Sequence, residues 1–474
     1  MSDSNTPLLD ALCRYAAAAP HRFHMPGHKG RPVFPQLSLT PEALDVTELA
    51  ETGCLYDDAP PFSDANRLFA ADWRVPQAFL LAGGSTLGIL SMIATAFSGT
   101  EQRRLLCDRG CHKSVFHAMA LCGLEPDFLF CDQPAAPPFA EIAADLSVDG
   151  LERRLEETGA HAVILTSPTY TGVRRDVAAL ADAAHRHGAL LLVDEAHGAH
   201  FPFCPGCTAA VAAGADLAVC SLHKTLPALG GAALLTASES VDGDTVRHFL
   251  QVFGSSSPSF LIAASADAAR ARMETAQDDI ARCIAAADEI RESLLTQGRF
   301  LPLTADRTAS GLLDPLRLTV YTASAGLTGK EVERQLAARS IRCEMSDRVS
   351  VVFILSPADT PADFAALRSA LLEIAAESPG IPLPQPLSER LDPVCVCSPR
   401  AAWLAESETI PIADACGRIA AETVGRYPPG IPLVAPGEAV TDDVFAVLRS
   451  EPDAFPPTLR VLKSRNSASG SCRA

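Results

Sequence analysis

The sequence predicts an α/β fold with a mostly parallel sheet in a large domain, followed by a smaller α+β domain and a C-terminal segment. Between about residue 77 and residue 236, short apolar runs alternate with segments of helical periodicity. The runs are uniformly apolar, which is typical of strands buried on both faces of a parallel sheet. A chain of 474 residues exceeds the usual size of one compact core, so two or three domains are expected.

Seven strands and their connecting helices are predicted in this region. One connecting helix is expected over residues 176–187, because Gly188 follows it and glycine commonly ends helices. Helices between consecutive strands provide the crossovers that parallel pairing requires. The predicted strands span residues 78–82, 104–107, 127–131, 162–166, 189–194, 217–221 and 232–236.

Further elements flank the predicted sheet on both sides. Residues 8–19 have helical spacing, and Pro20 ends that helix. A Pro-rich stretch over residues 379–386 marks a linker into the C-terminal segment. The elements predicted beyond the sheet are a helix over 275–297, a strand over 316–321, a helix from Thr328, a strand over 350–355 and a helix from Thr360. The resulting domains are an arm at 1–30, a large domain at 31–274, a small α+β domain at 275–378 and a C-terminal domain at 387–474.

Composition limits the partners of the protein. The net charge of −18 and the pI near 5.1 argue against nucleic acids and anionic membranes, because both attract basic surfaces. The sequence has no run of about 18 apolar residues and no secretion signal, so a cytoplasmic protein is expected. Its 15 cysteines are scattered through apolar segments, and Cys204 and Cys207 have no second pair at zinc-binding distance. No metal site is predicted.

A lysine and an aspartate at strand ends form the most informative pair. Lys224 directly follows one predicted strand, and Asp194 ends another strand thirty residues earlier. Lysines account for five of the 39 basic side chains, although a lysine in a loop is, taken alone, usually a solvated residue. A lysine amine can form a Schiff base with pyridoxal 5'-phosphate (PLP), and a carboxylate can keep the pyridine nitrogen protonated. The pair therefore predicts a PLP site.

Other candidates lie at the carboxyl ends of predicted strands, where sites in doubly wound sheets are found. Gly83-Gly84-Ser85-Thr86 follows a strand and opens a helix. Free amides, hydroxyls and the helix dipole in such a turn can bind a phosphate. His112 follows another strand end, and two interpretations stay open for it: a ring that stacks on the cofactor, or a polar residue that starts a helix.

Short motifs occur in order from about residue 21 to about residue 440. They are FHMPGHKG at 23–30, DVTEL at 45–49, GST at 84–86, CHKS at 111–114, PTYTGV at 168–173, VDEAHGAH at 193–200, SLHKTLPAL at 221–229, SSPS at 256–259, YPPGIP at 427–432 and PGE at 436–438. In this combination the chain resembles the bacterial ornithine/lysine/arginine decarboxylase family in its short form, without an N-terminal receiver-like domain.

The resemblance implies a fold type I PLP-dependent enzyme that forms a homodimer or higher homo-oligomer with active sites at the subunit interface. The large domain would bind PLP, and residues 255–257 would complete the phosphate site of the neighbouring subunit. Glu344 would face the cationic end of the substrate, or else be a solvated loop residue. The implied catalytic residues are Lys224, Asp194, His112 and His223. The implied cofactor-binding residues are Gly84, Ser85, Thr86, His112, Asp194, Ala196, His197, Ser221, His223 and Lys224.

The expected reaction is decarboxylation of lysine, arginine or ornithine to the corresponding amine, with a place in polyamine metabolism. Lys224, His197 and His223 are alternative donors of the proton that replaces carbon dioxide at Cα. Transamination or β-elimination by the same fold, or a non-catalytic regulator, are the alternative functions. They stay open because the walls of the site depart from the family pattern. The departures are Gly83, Ile89, Gly230 and Gly231, where the family usually has Asn, Asn, Thr and Gln.

Overall fold

We describe residues 7–18, 20–34, 40–140, 142–383, 391–426, 430–451 and 454–463 of a computed structural model of the chain. The strands are β1 (His21–Phe23), β2 (Gln77–Leu81), β3 (Arg104–Asp108), β4 (Glu125–Leu129), β5 (Ala162–Thr166), β6 (Leu190–Asp194), β7 (Leu217–Cys220), β8 (Ala233–Ala237), β9 (Leu301–Pro302), β10 (Arg317–Tyr321), β11 (Ile341–Cys343), β12 (Met345–Ser346), β13 (Ser350–Ile354), β14 (Ser407–Pro411), β15 (Val424–Arg426), β16 (Ile431–Val434) and β17 (Thr458–Leu462).

The helices are α1 (Pro7–Ala17), α2 (Pro41–Leu44), α3 (Phe62–Trp73), α4 (Gly84–Ala96), α5 (Lys113–Cys122), α6 (Val148–Thr158), α7 (Val177–Arg186), α8 (Leu222–Thr225), α9 (Gly243–Phe253), α10 (Phe260–Met273), α11 (Gln277–Gln297), α12 (Gly329–Ala338), α13 (Pro361–Glu377), α14 (Pro399–Leu404) and α15 (Asp442–Ser450). Short 3-10 helices lie at Phe201–Phe203, Ala305–Arg307, Ala323–Ala325 and Ile412–Asp414. Across the described part of the chain, no helix is long and apolar enough to cross a membrane.

A seven-stranded sheet in the order β2-β8-β7-β6-β5-β3-β4 forms the centre of the large domain. β8 runs antiparallel to both of its neighbours, and the pairs from β7 to β4 are parallel. The predicted mostly parallel α/β fold is therefore confirmed. Most strand ends agree with the prediction within one residue, and two differences have a structural reason. β4 lies two residues earlier in the chain, and β7 ends at Cys220, because Ser221 is already the N-cap of α8.

Close packing of a helix on this sheet positions the candidate phosphate turn. From Leu87 to its end α4 is almost completely buried, and it contacts β7 near Gly88. A Cβ atom at Gly88 would lie 2.6 Å from Val219 Cγ1, so the helix reaches the sheet only because the side chain is absent there. This approach fixes the N-terminus of α4 close to the carboxyl end of β7, where Lys224 follows.

The smaller sheet has the order β12-β13-β10-β9, and its neighbouring strands are antiparallel. Helices α12 and α13 begin as predicted after Thr328 and Thr360, which form capping boxes with Glu331 and Asp363. The N-terminal arm joins this region, because β1 pairs in parallel with β11.

The C-terminal segment has its own small core and contacts the large domain. β14 pairs with β17 and β15 with β16, and the apolar side chains between them include Val424, Val434 and Leu459. α14 packs on α5, whose N-cap is His112. Residues 427–429 of the YPPGIP motif lie outside the described residues. The predicted domain limits stay a prediction.

Candidate active site

Two neighbouring parallel strands bring the predicted lysine and aspartate to the same edge of the sheet. Asp194 ends β6 and is paired with Val219 of β7, after which the chain enters α8 with Lys224 in its third position. Ser221 N donates to Ala196 O at 3.3 Å, which ties the segments that follow the two strands. The carboxylate and the amine thus lie on segments at the same edge of the sheet, near enough for the charge of each to act on the pKa of the other.

Burial and charge act on both groups. Asp194 is 3% exposed, and its Oδ1 accepts a hydrogen bond from Ala196 N at 3.1 Å. Burial raises the pKa of Asp194, against the opposing effects of Lys224 and of that hydrogen bond. Burial likewise lowers the pKa of Lys224, while Asp194 and Glu344 act in the other direction. A lowered pKa increases the neutral fraction of the lysine, and the neutral amine is the nucleophilic form.

His197 links Lys224 to a residue that the sequence did not indicate. Lys224 Nζ lies 3.2 Å from His197 Nε2, and Arg317 Nη2 lies 3.0 Å from His197 Nδ1. The imidazole also packs edge-to-face against Tyr170, with ring centroids 4.9 Å apart. Arg317 comes from β10 of the smaller sheet. No local motif marks it, because its role arises when the two sheets pack together.

His112 occupies the N-cap position of α5. Its Nδ1 lies 2.8 Å from Ser114 Oγ and accepts a hydrogen bond from Ser114 N at 3.3 Å. Burial, followed by the charges of Lys224 and Lys113, lowers the pKa of His112 to about 4. The interpretation of His112 as a polar residue that starts a helix is therefore confirmed. The ring is also close enough to Lys224 for the charge of the lysine to lower its pKa. Stacking on a cofactor stays a prediction.

The turn before α4 presents the helix N-terminus to the same region. Gly84 has φ 71°, a left-handed conformation that favours glycine, and its N–H donates to Gly231 O at 2.7 Å. Ser85 and Thr86 follow in the first turn of α4, where backbone amides have no partner within the helix. Gly231, one of the departures from the family pattern, therefore supports the turn.

Two hydroxyl groups near Lys224 are buried without a hydrogen-bond partner in the described part of the chain. They are Ser221 Oγ and Thr225 Oγ1, on residues that are 0% and 1% exposed. An unpaired buried hydroxyl is costly, and an incoming acceptor would relieve that cost.

His223 Nδ1 lies 2.9 Å from Ala232 O, and burial lowers the pKa of this histidine. Ala196 is buried beside the aspartate.

Glu344 lies between β11 and β12 and is 8% exposed, so its interpretation as a solvated loop residue is wrong. Its Oε2 accepts a hydrogen bond from Met25 N at 3.0 Å, and its Oε1 accepts one from the Tyr170 hydroxyl. The sequence did not mark Met25 and Tyr170 individually, although both belong to the quoted motifs. Residues 255–257 form an exposed turn between α9 and α10.

Comparison with known families decides the relationship. The model of the Orn/Lys/Arg decarboxylase major domain matches residues 6–311, and that of the C-terminal domain of the same family matches residues 389–451. The chain belongs to the Orn/Lys/Arg decarboxylase family. The predicted enzyme class, an amino-acid decarboxylase for basic amino acids, is confirmed at this level.

One relative agrees with this assignment, and two solved structures share the fold. An arginine decarboxylase of Bacillus anthracis is 30% identical over 98% of this chain and 98% of its own length. Lysine decarboxylase A from Pseudomonas aeruginosa is 19% identical, covers 97% of this chain and 83% of its own, and superposes with a TM-score of 0.74. An SPT structure with PLP is 15% identical, with coverages of 76% and 83% and a TM-score of 0.55. The last two similarities concern the fold.

Proposed function

We propose that this family member uses PLP to decarboxylate a basic amino acid, with arginine as the first candidate. One observation carries the proposal: the buried Asp194 at the end of β6 and Lys224, in the helix that follows the adjacent parallel strand β7, interact through their charges, as a PLP site needs. The preference for arginine rests on the full-length relative that is named an arginine decarboxylase. The acidic net charge of −18 also favours a cationic substrate.

The residues present fit PLP. The unpaired Ser221 hydroxyl, with Gly84, Ser85 and Thr86 at the N-terminus of α4, would hold its phosphate. His223 follows Ser221 directly and would lie at the edge of the same phosphate site. When bound, the cofactor supplies the electron sink that accepts the electron pair of the broken bond.

The remaining residues would surround the cofactor ring. Asp194 would bond the pyridine nitrogen, and His112 and Ala196 would contact the two faces. Lys224 would hold the cofactor covalently and return to it after each turnover. Glu344 would bind the distal cation of the substrate, because its carboxylate is buried and fixed by two hydrogen bonds.

A product screen with arginine, lysine and ornithine tests this function. We expect carbon dioxide and the matching amine from one of the three, and loss of both products in Lys224→Ala, together with loss of borohydride trapping of PLP. Lys330→Ala is the matched control, because Lys330 lies on α12 with a 62% exposed side chain. Keto acid or ammonia without carbon dioxide would instead favour transamination or β-elimination. Trapping that survives in Lys224→Ala would contradict the assignment.

We further propose a homodimer or larger homo-oligomer whose active sites include residues 255–257 of the neighbouring subunit. The exposure of this turn, and of Val252 just before it, supports the proposal. Sedimentation should give at least twice the chain mass of 49.9 kDa. A monomer with full activity would contradict it.

A cytoplasmic location is proposed on the state of the cysteines. Those of the described residues are free, as expected for a reducing compartment. Fractionation of cells that express the chain should recover it with cytosolic markers, and recovery with membranes would contradict this location.

A further inference from the structure

The His197 ring is held from both sides by nitrogen atoms. Arg317 Nη2 is 3.0 Å from Nδ1, and Lys224 Nζ is 3.2 Å from Nε2. A guanidinium group has donors and no acceptor, so Nδ1 must accept its hydrogen bond and carry no proton. A neutral His197 therefore carries its single proton on Nε2 and donates it to Lys224, which can accept this hydrogen bond only as the neutral amine.

Arg317 has little freedom to leave this position. Arg317 is 1% exposed. Gly172, at φ 98°, lies so close to it that a Cβ atom at this glycine would be 2.6 Å from Arg317 Cγ. The Tyr170 ring centroid is 5.9 Å from Arg317 Cζ. Asp314 Oδ2 is 3.9 Å from Arg317 Nε, and the Asp314 carboxylate is fixed by His200 Nε2 at 2.7 Å. The guanidinium is thus aimed at His197 by the surrounding structure.

We propose that Arg317 is a positioning residue that keeps His197 neutral, with its proton on Nε2, so that His197 is a fixed hydrogen-bond donor and not an acid. The role of this positioning in catalysis rests on the proposed function. The structural content of the inference, the protonation state of one histidine, can be measured without the cofactor.

Protonation of His197 would bring two donors and two positive charges into contact. The imidazolium would place an Nδ1–H group against the Arg317 guanidinium, and neither group could accept. Burial lowers the pKa of His197 well below its ordinary value, and the neighbouring charges lower it further. The titratable and charged groups around the ring are Lys224 and His223 of α8, Arg317 of β10, His112 at the start of α5 and Tyr170 after β5.

The same reasoning reduces the alternatives for the proton delivered to Cα. His223 Nδ1 lies 2.9 Å from Ala232 O, and because a carbonyl oxygen only accepts, the proton of neutral His223 is on Nδ1. Neutral His197 could give up its Nε2 proton only by becoming an imidazolate. His197 therefore drops out, and Lys224 and His223 remain: an ammonium Lys224 would transfer one proton to Cα and become the neutral amine that can accept from His197 Nε2–H.

Nitrogen-15 NMR of the full-length protein, with histidine labelling and both with and without PLP, tests the inference. The His197 signals are assigned by their loss in His197→Gln. We expect an unprotonated Nδ1 and a protonated Nε2 that do not titrate between about pH 5 and about pH 8. In Arg317→Met nothing obliges Nδ1 to stay unprotonated, so the ring should show a protonated Nδ1 in part of the molecules, and its pKa should rise while staying below about 6.5 because burial remains. Arg317→Lys should restore the native state, because it returns a cationic donor.

Arg291→Met is the matched control. Arg291 is also buried, and its Nη2 donates to Arg317 O at 2.7 Å, so its loss disturbs the same strand without touching His197. The His197 signals should stay native in this variant. Titration of His197 in the unaltered protein, a protonated Nδ1, or native signals in a folded Arg317→Met would overturn the inference. Because apoprotein suffices, failure to bind PLP would refute the proposed function and leave this result standing.

Discussion

At the scale of single residues, the Glu344 carboxylate is fixed by donors from two distant parts of the chain. Met25 N belongs to the arm, and the Tyr170 hydroxyl belongs to the loop after β5. The charge of Glu344 acts on Lys224 in the direction that raises the pKa of the lysine. A fixed negative charge that acts on the reacting amine suits a substrate that is cationic at its far end.

Glu344→Gln should lower kcat/KM for the preferred substrate by about 10-fold to 100-fold, mainly through KM, because the substrate would lose a charge-assisted hydrogen bond. Steady-state kinetics with the cationic substrate and with an uncharged analogue of equal length measure the effect. Tyr170→Phe is the control, since it removes one hydrogen bond and leaves the charge. An equal loss for the cationic and the uncharged substrate would contradict the role of Glu344.

Some site residues can be predicted from their neighbours in the sequence, and others only from tertiary packing. Lys224 and Asp194 were predictable because Asp194 ends one apolar strand and Lys224 comes shortly after another, and the parallel pairing of β6 and β7 brings the two segments together. Arg317 was not predictable, because it is one polar residue inside a strand of the smaller sheet. Its contact with His197 exists only once Gly172 admits its side chain.

At the scale of elements, the first turn of α13 anchors the N-terminal arm. Asp363 forms a capping box with Thr360, and its carboxylate also accepts hydrogen bonds from His21 at 2.7 Å and Arg31 at 2.9 Å. Burial alone would raise the pKa of Asp363, but the hydrogen bonds from Thr360, His21 and Arg31 lower it to about 2. A single carboxylate thus joins a helix cap to the arm that carries Met25.

Asp363→Asn should destabilise the protein by about 2 kcal/mol near neutral pH. The native pKa of about 2 lies below the ordinary value of 3.8, so this stabilisation is complete above about pH 4 and is lost as the pH falls through about 2. Urea unfolding at about pH 7 and about pH 3 should therefore show a smaller difference between the two proteins in acid.

Glu331→Gln serves as the control for this experiment, because Glu331 closes the capping box of α12 and the described structure shows no contact between it and the arm. Its cost should stay below that of a lost cap, about 1 kcal/mol, because glutamine can still accept the hydrogen bond at this position. Equal losses in the two variants would mean that the arm contributes nothing to the stability of α13.

The starts of the helices α12 and α13 were predictable because a capping box involves only four consecutive residues of the sequence. The strand β4 was placed two residues too late, because it lies at the sheet edge and its register depends on β3 alone. The pairing of β1 with β11 joins residues more than 300 positions apart, and no local pattern specifies it. Local signals therefore set the elements, and packing sets their partners.

At the scale of the whole molecule, the C-terminal segment is docked next to His112. Arg109 Nη2 donates to Glu438 Oε2 at 3.0 Å and to Leu433 O at 3.1 Å. The side chains of this ion pair are 13% and 4% exposed. Lys113 N, in the residue after His112, donates to Gly430 O at 3.1 Å. The loop that positions His112 thus depends on a separate part of the chain.

Glu438→Gln should weaken this docking by about 2–4 kcal/mol, because it leaves the buried Arg109 charge without its counter-ion. Hydrogen exchange at the Lys113 amide should accelerate, and retention of PLP should fall although Glu438 lies in the C-terminal segment.

Glu408→Gln, in the more exposed ion pair with Arg418, is the control and should cost no more than about 1 kcal/mol. Replacing both partners, in Arg109→Met with Glu438→Leu, should recover much of the stability, since no unpaired charge stays buried. Unchanged exchange at Lys113 in Glu438→Gln would show that His112 is positioned by the large domain alone.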